Sequence, residues 1–195
     1  MKLKPLFAAV AALLAVSALP AQGKSKTLVI YYSWSGNTQK IARIIQEKTG
    51  ADIYEIVLEK PYPADYNACL DAAKSDQNRN ARPAIKGKLP DVSPYGTVIL
   101  AYPLWWGDVP MHFYTLLEKT DLSGKTVLPV CSNGGGGLAR SVGTIKRLAP
   151  KATVKAGLSI YRDGGANLEE TLSSYLKKNG MEKQMQIPTK RSARN

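Results

Sequence analysis

Residues 27–38, Thr-Leu-Val-Ile-Tyr-Tyr-Ser-Trp-Ser-Gly-Asn-Thr, contain the pattern that decides the fold. The first six are apolar or β-branched, which is typical of a short buried strand. A helix is expected directly afterwards, from about Thr38 to Lys48, and Gly50 provides its stop signal. The segment therefore predicts a strand, a short polar loop and a helix in immediate succession.

The same alternation continues to residue 179. Further strands are expected at 52–58, 97–101, 125–131 and 153–161, and further helices at 66–76, 111–119, 138–148 and 168–179. Five strands alternating with five helices predict a single α/β domain, in which right-handed crossovers build a parallel sheet with helices on both faces. A long loop is expected at 77–94, which is polar and contains prolines.

The first residues differ from this domain. Lysines precede an apolar run at 6–19 and small residues follow it, which is the arrangement of a secretory signal peptide. We expect residues 1–21 to be removed during export to the periplasm or the medium, 26–180 to form the domain, and 181–195 to be a basic tail. The run is shorter than the ~20 residues that span a bilayer, so stable membrane insertion is not expected. An uncleaved membrane anchor is the alternative.

The composition is unusual in its net charge. The formal charge is +12, and removal of residues 1–21 takes away two lysines and no acidic residue, which leaves +10. Such a surface favours acidic partners and salt-sensitive encounter rates. The basic residues are scattered and match no nucleic-acid-binding motif, so nucleic acid is not an expected partner.

The two cysteines are Cys69 and Cys131. An even count permits a disulfide in an exported protein. Cys69, however, falls in a predicted helix and Cys131 ends a predicted strand, which favours two separate, partly buried thiols. No cluster of histidine, cysteine and carboxylate residues has the spacing of a metal site.

The loop after the first strand is suited to an anion. A helix N-terminus offers unpaired N–H groups and a partial positive charge, and hydroxyl and amide side chains add further donors. A cluster that only caps the helix is the alternative. The candidate phosphate-binding residues are Ser33, Trp34, Ser35, Gly36, Asn37 and Thr38.

Two later loops, after the third and fourth strands, complete the candidate site. Adjacent side chains point in different directions, so two neighbouring tryptophans suit a core poorly and favour stacking on a flat ligand. Four consecutive glycines favour close approach of the backbone to a ligand. A hydrophobic partner surface and a flexible linker are the respective alternatives. The candidate residues are Pro103, Leu104, Trp105, Trp106 and Gly107 in one loop and Ser132, Asn133, Gly134, Gly135 and Gly136 in the other.

These three loops carry a resemblance to a known family. S-x-S-G-N-T at 33–38 resembles the FMN phosphate loop of flavodoxins, and P-x-W-W-G-x-x-P at 103–110 resembles the loop that flanks the isoalloxazine ring in one bacterial flavodoxin-like subfamily. The glycine loop is similar to the one whose N–H groups reach the pyrimidine carbonyls. The resemblance spans about 26–180 and implies FMN as the cofactor and a flavodoxin-like, doubly wound five-stranded parallel sheet in the order 2-1-3-4-5.

The chain also departs from flavodoxins. The loop at 59–63 lacks the glycine that many flavodoxins place beside the flavin, and Tyr62 or Tyr66 is a candidate to pack there instead. The protein is basic where flavodoxins are typically acidic, and basic groups near a flavin would raise its reduction potential. His112 is expected to be a partly exposed structural residue, with a flavin or substrate contact as the alternative. The segment 163–165 is expected to be a turn with at most a minor cofactor contact.

The resemblance implies an FMN-binding electron carrier. The leader pattern places it outside the cytoplasm, the net charge favours a redox partner protein of acidic character, and we expect a monomer. Two alternatives remain open. One is an FMN-dependent NAD(P)H:quinone-type oxidoreductase, although the chain has no nicotinamide fingerprint. The other is a non-redox binding module, since a fold alone does not determine a function.

Overall fold

The computed structural model describes residues 26–181, so the expected leader and all but the first residue of the expected tail lie outside the described residues. The strands are β1 (Lys26–Tyr31), β2 (Asp52–Glu55), β3 (Tyr95–Pro103), β4 (Thr126–Asn133), β5 (Thr153–Val154) and β6 (Leu158–Tyr161). The helices are α1 (Asn37–Thr49), α2 (Tyr66–Asn78), α3 (Met111–Lys119), α4 (Ser141–Leu148) and α5 (Leu168–Lys178). Within the described range, no helix is both long and apolar enough to cross a membrane.

The strands form one parallel sheet in the order β2-β1-β3-β4-β5, with β6 also paired to β4. The chain winds from β1 outward to β2 and then crosses back to β3 on the other side of β1. This reversal opens a crevice between the carboxyl ends of β1 and β3, where sheets of this class bind their ligands. The predicted fold class and strand order are confirmed.

The expected fifth strand at 153–161 is divided in two, which gives the sheet a sixth strand. β5 pairs with the beginning of β4 and β6 with its end. Between them, the Tyr175 hydroxyl lies 2.9 Å from the carbonyl oxygen of Ala156 and 3.2 Å from that of Pro129. Because Pro129 has no N–H to pair with a neighbouring strand, the ladder is interrupted beside it.

Both faces of the sheet are buried. Successive residues of a strand point to opposite faces, and in β1 Leu28 and Ile30 join one apolar cluster while Val29 and Tyr31 join the other. Helices α3 and α4 cover the first cluster, and α1 and α5 cover the second. With both faces covered, the carboxyl ends of the strands are the part of the sheet left open to a ligand.

Most predicted boundaries lie within two residues of those in the structure, and two are wrong by three. The second strand ends at Glu55 rather than residue 58, and Leu58 instead pairs antiparallel with Ile85 of the long loop. The fourth helix begins at Ser141 rather than residue 138, because Ala139 has a φ of 38°, which lies outside the right-handed helical region.

The prediction of two separate thiols is confirmed, since Cys69 and Cys131 are both free. Both are more deeply buried than expected, with Cys131 at 0% exposure and Cys69 at 5%. Burial raises the pKa of the Cys131 thiol to about 12 and also raises that of Cys69, because a thiolate loses its hydration there.

Candidate functional site

A cleft of about 270 Å³ lies beyond the carboxyl ends of β1, β3 and β4. This volume is close to the lower end of the range for small-molecule pockets, ~300 Å³, which suits a ligand that is only partly enclosed by the cleft. The cleft is bounded by the three predicted loops, by one face of α2 and by the residue that follows β6. Its lining residues are Trp34, Ser35, Asn37, Tyr66, Cys69, Leu70, Ala73, Pro103, Leu104, Trp105, Trp106, Ser132, Asn133, Gly134 and Arg162.

The loop after β1 ends in a helix N-terminus without a side-chain cap. Gly36 takes the N-cap position with a φ of 91°, and its N–H donates to the Ser33 Oγ at 3.1 Å. Across the described part of the chain, the side chains of Ser35, Asn37 and Thr38 take part in no hydrogen bond. Ser35 and Asn37 border the cleft, so their side chains and the first N–H groups of α1 are available to an anion, whereas Thr38 is buried at 2% exposure.

The loop after β3 turns sharply at its two tryptophans. Trp105 and Asp108 exchange backbone hydrogen bonds of 2.9 and 3.0 Å, and the central residues Trp106 and Gly107 have φ values of 50° and 75°. Two positive φ values at the centre of such a turn are the signature of type I′, which favours glycine at its second central position. The turn points the two indole rings in different directions.

The two tryptophans have different surroundings. Trp105 is half-buried and lies edge-to-face with Tyr32 and Tyr62, at centroid distances of 5.7 and 4.9 Å. Trp106 is 43% exposed, and its Nε1 donates to the carbonyl of Leu70 at 3.0 Å. Both rings border the cleft, so both are available to a planar ligand.

Asp108 connects this turn to the rest of the domain through hydrogen bonds. Its carboxylate is 2% exposed and accepts four hydrogen bonds. One oxygen accepts from the Val109 N–H, and the other accepts from the Tyr114 hydroxyl, the Thr144 hydroxyl and the Arg140 Nε. The position of the tryptophans therefore depends on one buried carboxylate that connects α3 and α4.

The glycines of the loop after β4 have different structural roles. The Asn133 side chain organises the loop: its Oδ1 accepts from the N–H groups of Gly135 and Gly137, at 2.9 and 3.1 Å. Gly135 has a φ of 120°. Gly136 packs so tightly that an added Cβ would lie 2.8 Å from the Leu104 side chain. Of the described glycines, Gly134 alone borders the cleft, so ligand approach does not explain the whole run.

Comparison with known proteins agrees with this architecture. The family model described as flavodoxin matches residues 26–179. The chain belongs to the flavodoxin family. No curated protein matches the chain.

Solved structures of flavoproteins resemble this flavodoxin along nearly their whole length. A protein from Bacteroides eggerthii, assigned as a flavoprotein, is 30% identical with a TM-score of 0.71, over 81% of this chain and 99% of that one. A similarly assigned protein from Bacteroides uniformis is 28% identical with a TM-score of 0.69, over 80% and 99%. A Lactobacillus acidophilus flavoprotein in complex with FMN is 25% identical with a TM-score of 0.61, over 75% and 97%.

Six of the residues predicted for the flavodoxin site lie behind the cleft or beside it. They shape the loops rather than border the cavity, and they are Ser33, Gly36, Thr38, Gly107, Gly135 and Gly136. The other predicted residues of the three loops lie together around the cleft.

One wall of the cleft was not predicted as a unit. Tyr66, Cys69, Leu70 and Ala73 of α2 all face it. Their spacing of i, i+3, i+4 and i+7 is the signature of one helical face, and this pattern is visible in the sequence. The sequence does not show that this face turns towards the ends of β1 and β3, because that depends on how the loop at 59–63 folds back.

The expectation for His112 is wrong in one respect. The residue is structural but not partly exposed: its side chain is 0% exposed, packed 4.1 Å from the Tyr32 ring and 5.3 Å from the Phe113 ring. Neither ring nitrogen has a hydrogen-bond partner among the described residues. Burial lowers the pKa of His112 to about 3, because the charged form loses its hydration. The ring is neutral and packs behind Trp105, away from the cavity.

Proposed function

We propose that this protein binds FMN in the cleft and carries electrons outside the cytoplasm. The observation that carries the proposal is the uncapped N-terminus of α1, with unpaired hydroxyl and amide groups beside it, opening into a cleft walled by tryptophans. An anion and a flat aromatic ring are the two parts of FMN that these features suit. The crevice lies at the point where the winding of the sheet reverses.

Each part of the site has a distinct task. The loop at 33–38 would hold the phosphate through neutral donors, since it contains no lysine or arginine. Trp105 and Trp106 would orient the ring, and the backbone at 132–134 would contact its polar edge. Bound FMN supplies the electron-accepting chemistry, and the chain's own residues supply position, exclusion of water and electrostatics.

The proposed location and redox partner follow from the sequence. An export leader would place the domain in the periplasm or the medium, and a charge of +10 after its removal would favour an acidic redox partner. The carrier would act as a monomer. Export is tested by purifying the protein and sequencing its N-terminus. A first residue between 19 and 24 supports export, and retention of Met1 in a cytoplasmic fraction contradicts it.

The tryptophans provide the first test of FMN binding. The protein that starts at residue 22 should turn yellow when titrated with FMN, and flavin fluorescence should be quenched. Trp106→Ala should weaken binding by ~1–3 kcal/mol through lost stacking, with a modest loss of unfolding free energy, because the ring is 43% exposed but loses its hydrogen bond to the Leu70 carbonyl. Trp105→Ala should reduce both quantities, because Trp105 packs on Tyr32 and Tyr62. Unchanged affinity in both variants would place the ring elsewhere.

Salt dependence tests the preference for acidic partners. The reduced, FMN-loaded protein would be reoxidised with ferricyanide, an anion, and with hexaammineruthenium(III), a cation. Because the domain is strongly basic, added salt should slow the reaction with ferricyanide and accelerate the reaction with the cation. Uncharged benzoquinone is the control. The same rates at low and high salt would contradict electrostatic selection.

The alternative function, a NAD(P)H-dependent oxidoreductase, is tested with the same preparation. A carrier should oxidise NADPH slowly while exchanging electrons rapidly with the small oxidants. Steady turnover of NADPH with a quinone would support the oxidoreductase instead.

A further inference from the structure

Arg162 is an exposed basic residue at the border of the cleft. It directly follows β6 and borders the cavity together with Ser132 and Asn133. Among the described residues that line the cleft, it is the single charged one. No aspartate or glutamate within residues 26–181 lines the cleft.

The charge is not neutralised by a neighbour. The adjacent carboxylate, Asp163, forms an ion pair with Lys40 at 2.8 Å. The Arg162 guanidinium lies 5.3 Å from the Tyr161 ring centroid, and within residues 26–181 it forms no ion pair. The positive charge of Arg162, an exposed residue at the border of the cleft, is therefore not compensated by a carboxylate within residues 26–181.

The backbone of Arg162 is held in an uncommon conformation. Its φ is 51°, a region that costs a non-glycine residue ~1–2 kcal/mol. Two hydrogen bonds to the end of β4 maintain it: the Arg162 N–H donates to the Asn133 carbonyl at 2.7 Å, and the Ser132 hydroxyl donates to the Arg162 carbonyl at 2.6 Å. A glycine would adopt this conformation without strain, so an arginine here suggests a task for its side chain.

We propose that Arg162 makes the cleft bind reduced FMN more tightly than oxidised FMN, and thereby raises the reduction potential of the cofactor. The inference rests on the proposed FMN site. An oxidised flavin ring is neutral, whereas addition of two electrons and one proton leaves it with one negative charge. A nearby fixed cation favours the charged form, and the effect is larger in a cleft than in bulk water.

Arg162 would thus shift the reduction potential of FMN in the opposite direction from acidic residues beside a flavin. An acidic surrounding disfavours the reduced anion and suits a strongly reducing carrier. A cleft with one free guanidinium and no carboxylate suits a carrier that accepts electrons more readily. Arg162 is a positioning and tuning residue in this scheme, not a group that reacts.

The test compares FMN-loaded wild type with Arg162→Gln and Arg162→Lys. Dissociation constants for oxidised and dithionite-reduced FMN are measured with each protein, and the reduction potential is measured by equilibration with a dye of known potential. Arg162→Gln should weaken reduced FMN about tenfold more than oxidised FMN, equivalent to about 30 mV for a two-electron couple. Arg162→Lys keeps the charge and should retain most of the preference.

Arg43→Gln is the matched control, because Arg43 is an exposed arginine on α1 outside the cleft. It should leave the ratio of the two dissociation constants unchanged. Equal weakening of both FMN forms in Arg162→Gln, or the same loss in Arg162→Lys, would overturn the role of the charge while leaving FMN binding intact. Failure of wild type to bind either form would instead overturn the proposed function and this inference together.

Discussion

Replacement of Asp108 by alanine is expected to lower the free energy of unfolding by about 2–5 kcal/mol. The carboxylate is 2% exposed and accepts hydrogen bonds from Tyr114, Thr144, Arg140 and the Val109 N–H. Its removal leaves two buried hydroxyl groups without an acceptor, and unpaired buried polar groups are costly. The turn with the two tryptophans also loses its attachment, so FMN affinity should fall as well.

Urea denaturation followed by circular dichroism measures the first effect and FMN titration the second. Asp71→Ala is the matched control: Asp71 lies on the exposed side of α2, and across residues 26–181 its side chain has no hydrogen bond or ion pair, so the midpoint should stay near that of wild type. Arg140→Ala should cost less than Asp108→Ala, since the Arg140 side chain is 58% exposed. A loss below about 1 kcal/mol in Asp108→Ala would show that the network contributes little.

The order of the elements could be predicted because it depends on local patterns. The apolar run in β1 and the glycine that ends α1 are both visible within a few residues. Parallel pairing then follows from the alternation of strands and helices. The division of the last strand could not be predicted in this way, since it arises beside Pro129 of the neighbouring strand β4, where the Tyr175 hydroxyl of α5 bonds to the carbonyls of Pro129 and Ala156.

The candidate site was predictable to the extent that it consists of strand ends. Loops that follow parallel strands meet at one edge of the sheet, so the three loop segments were expected to lie together. The structural roles of the individual residues in these loops could be identified only from the structure. Gly136 is needed for its contact with Leu104, and Asn133 uses its side chain to hold its own loop. Arg162 borders the cleft and has a positive φ, and the sequence reveals neither.

His112 shows the same limit for a single side chain. A histidine after a proline at a helix start usually lies at the surface, and its sequence neighbours do not indicate otherwise. Its burial results from Tyr32 at the end of β1 and Tyr62 in the loop before α2, which cover the ring from different elements. Because both nitrogens lack partners among the described residues, this burial has a measurable consequence.

Acidification is expected to destabilise the protein through His112, by about 3 kcal/mol between pH 7 and pH 4. The pKa of His112 is lowered to about 3 in the folded state, from an ordinary value of 6.5. Below pH 6.5 the unfolded chain therefore binds a proton that the folded protein does not. The stabilising effect of the neutral ring is complete above pH 6.5, declines by ~1.4 kcal/mol per pH unit as the pH falls, and levels off below about pH 3.

The contribution of His112 can be isolated by substitution, because other titrating groups act equally in wild type and variant. His112→Phe and His112→Leu remove the titration and the two unpaired nitrogens, and each should be more stable relative to wild type at pH 4 than at pH 7. Urea denaturation at both pH values measures the difference. Using two variants separates titration from packing, since a poor fit of either side chain shifts stability equally at both pH values. If the difference from wild type is the same at pH 4 and pH 7 for both variants, the folded protein must accept the proton on His112 without cost, and the ring cannot be as fully enclosed as its aromatic neighbours indicate.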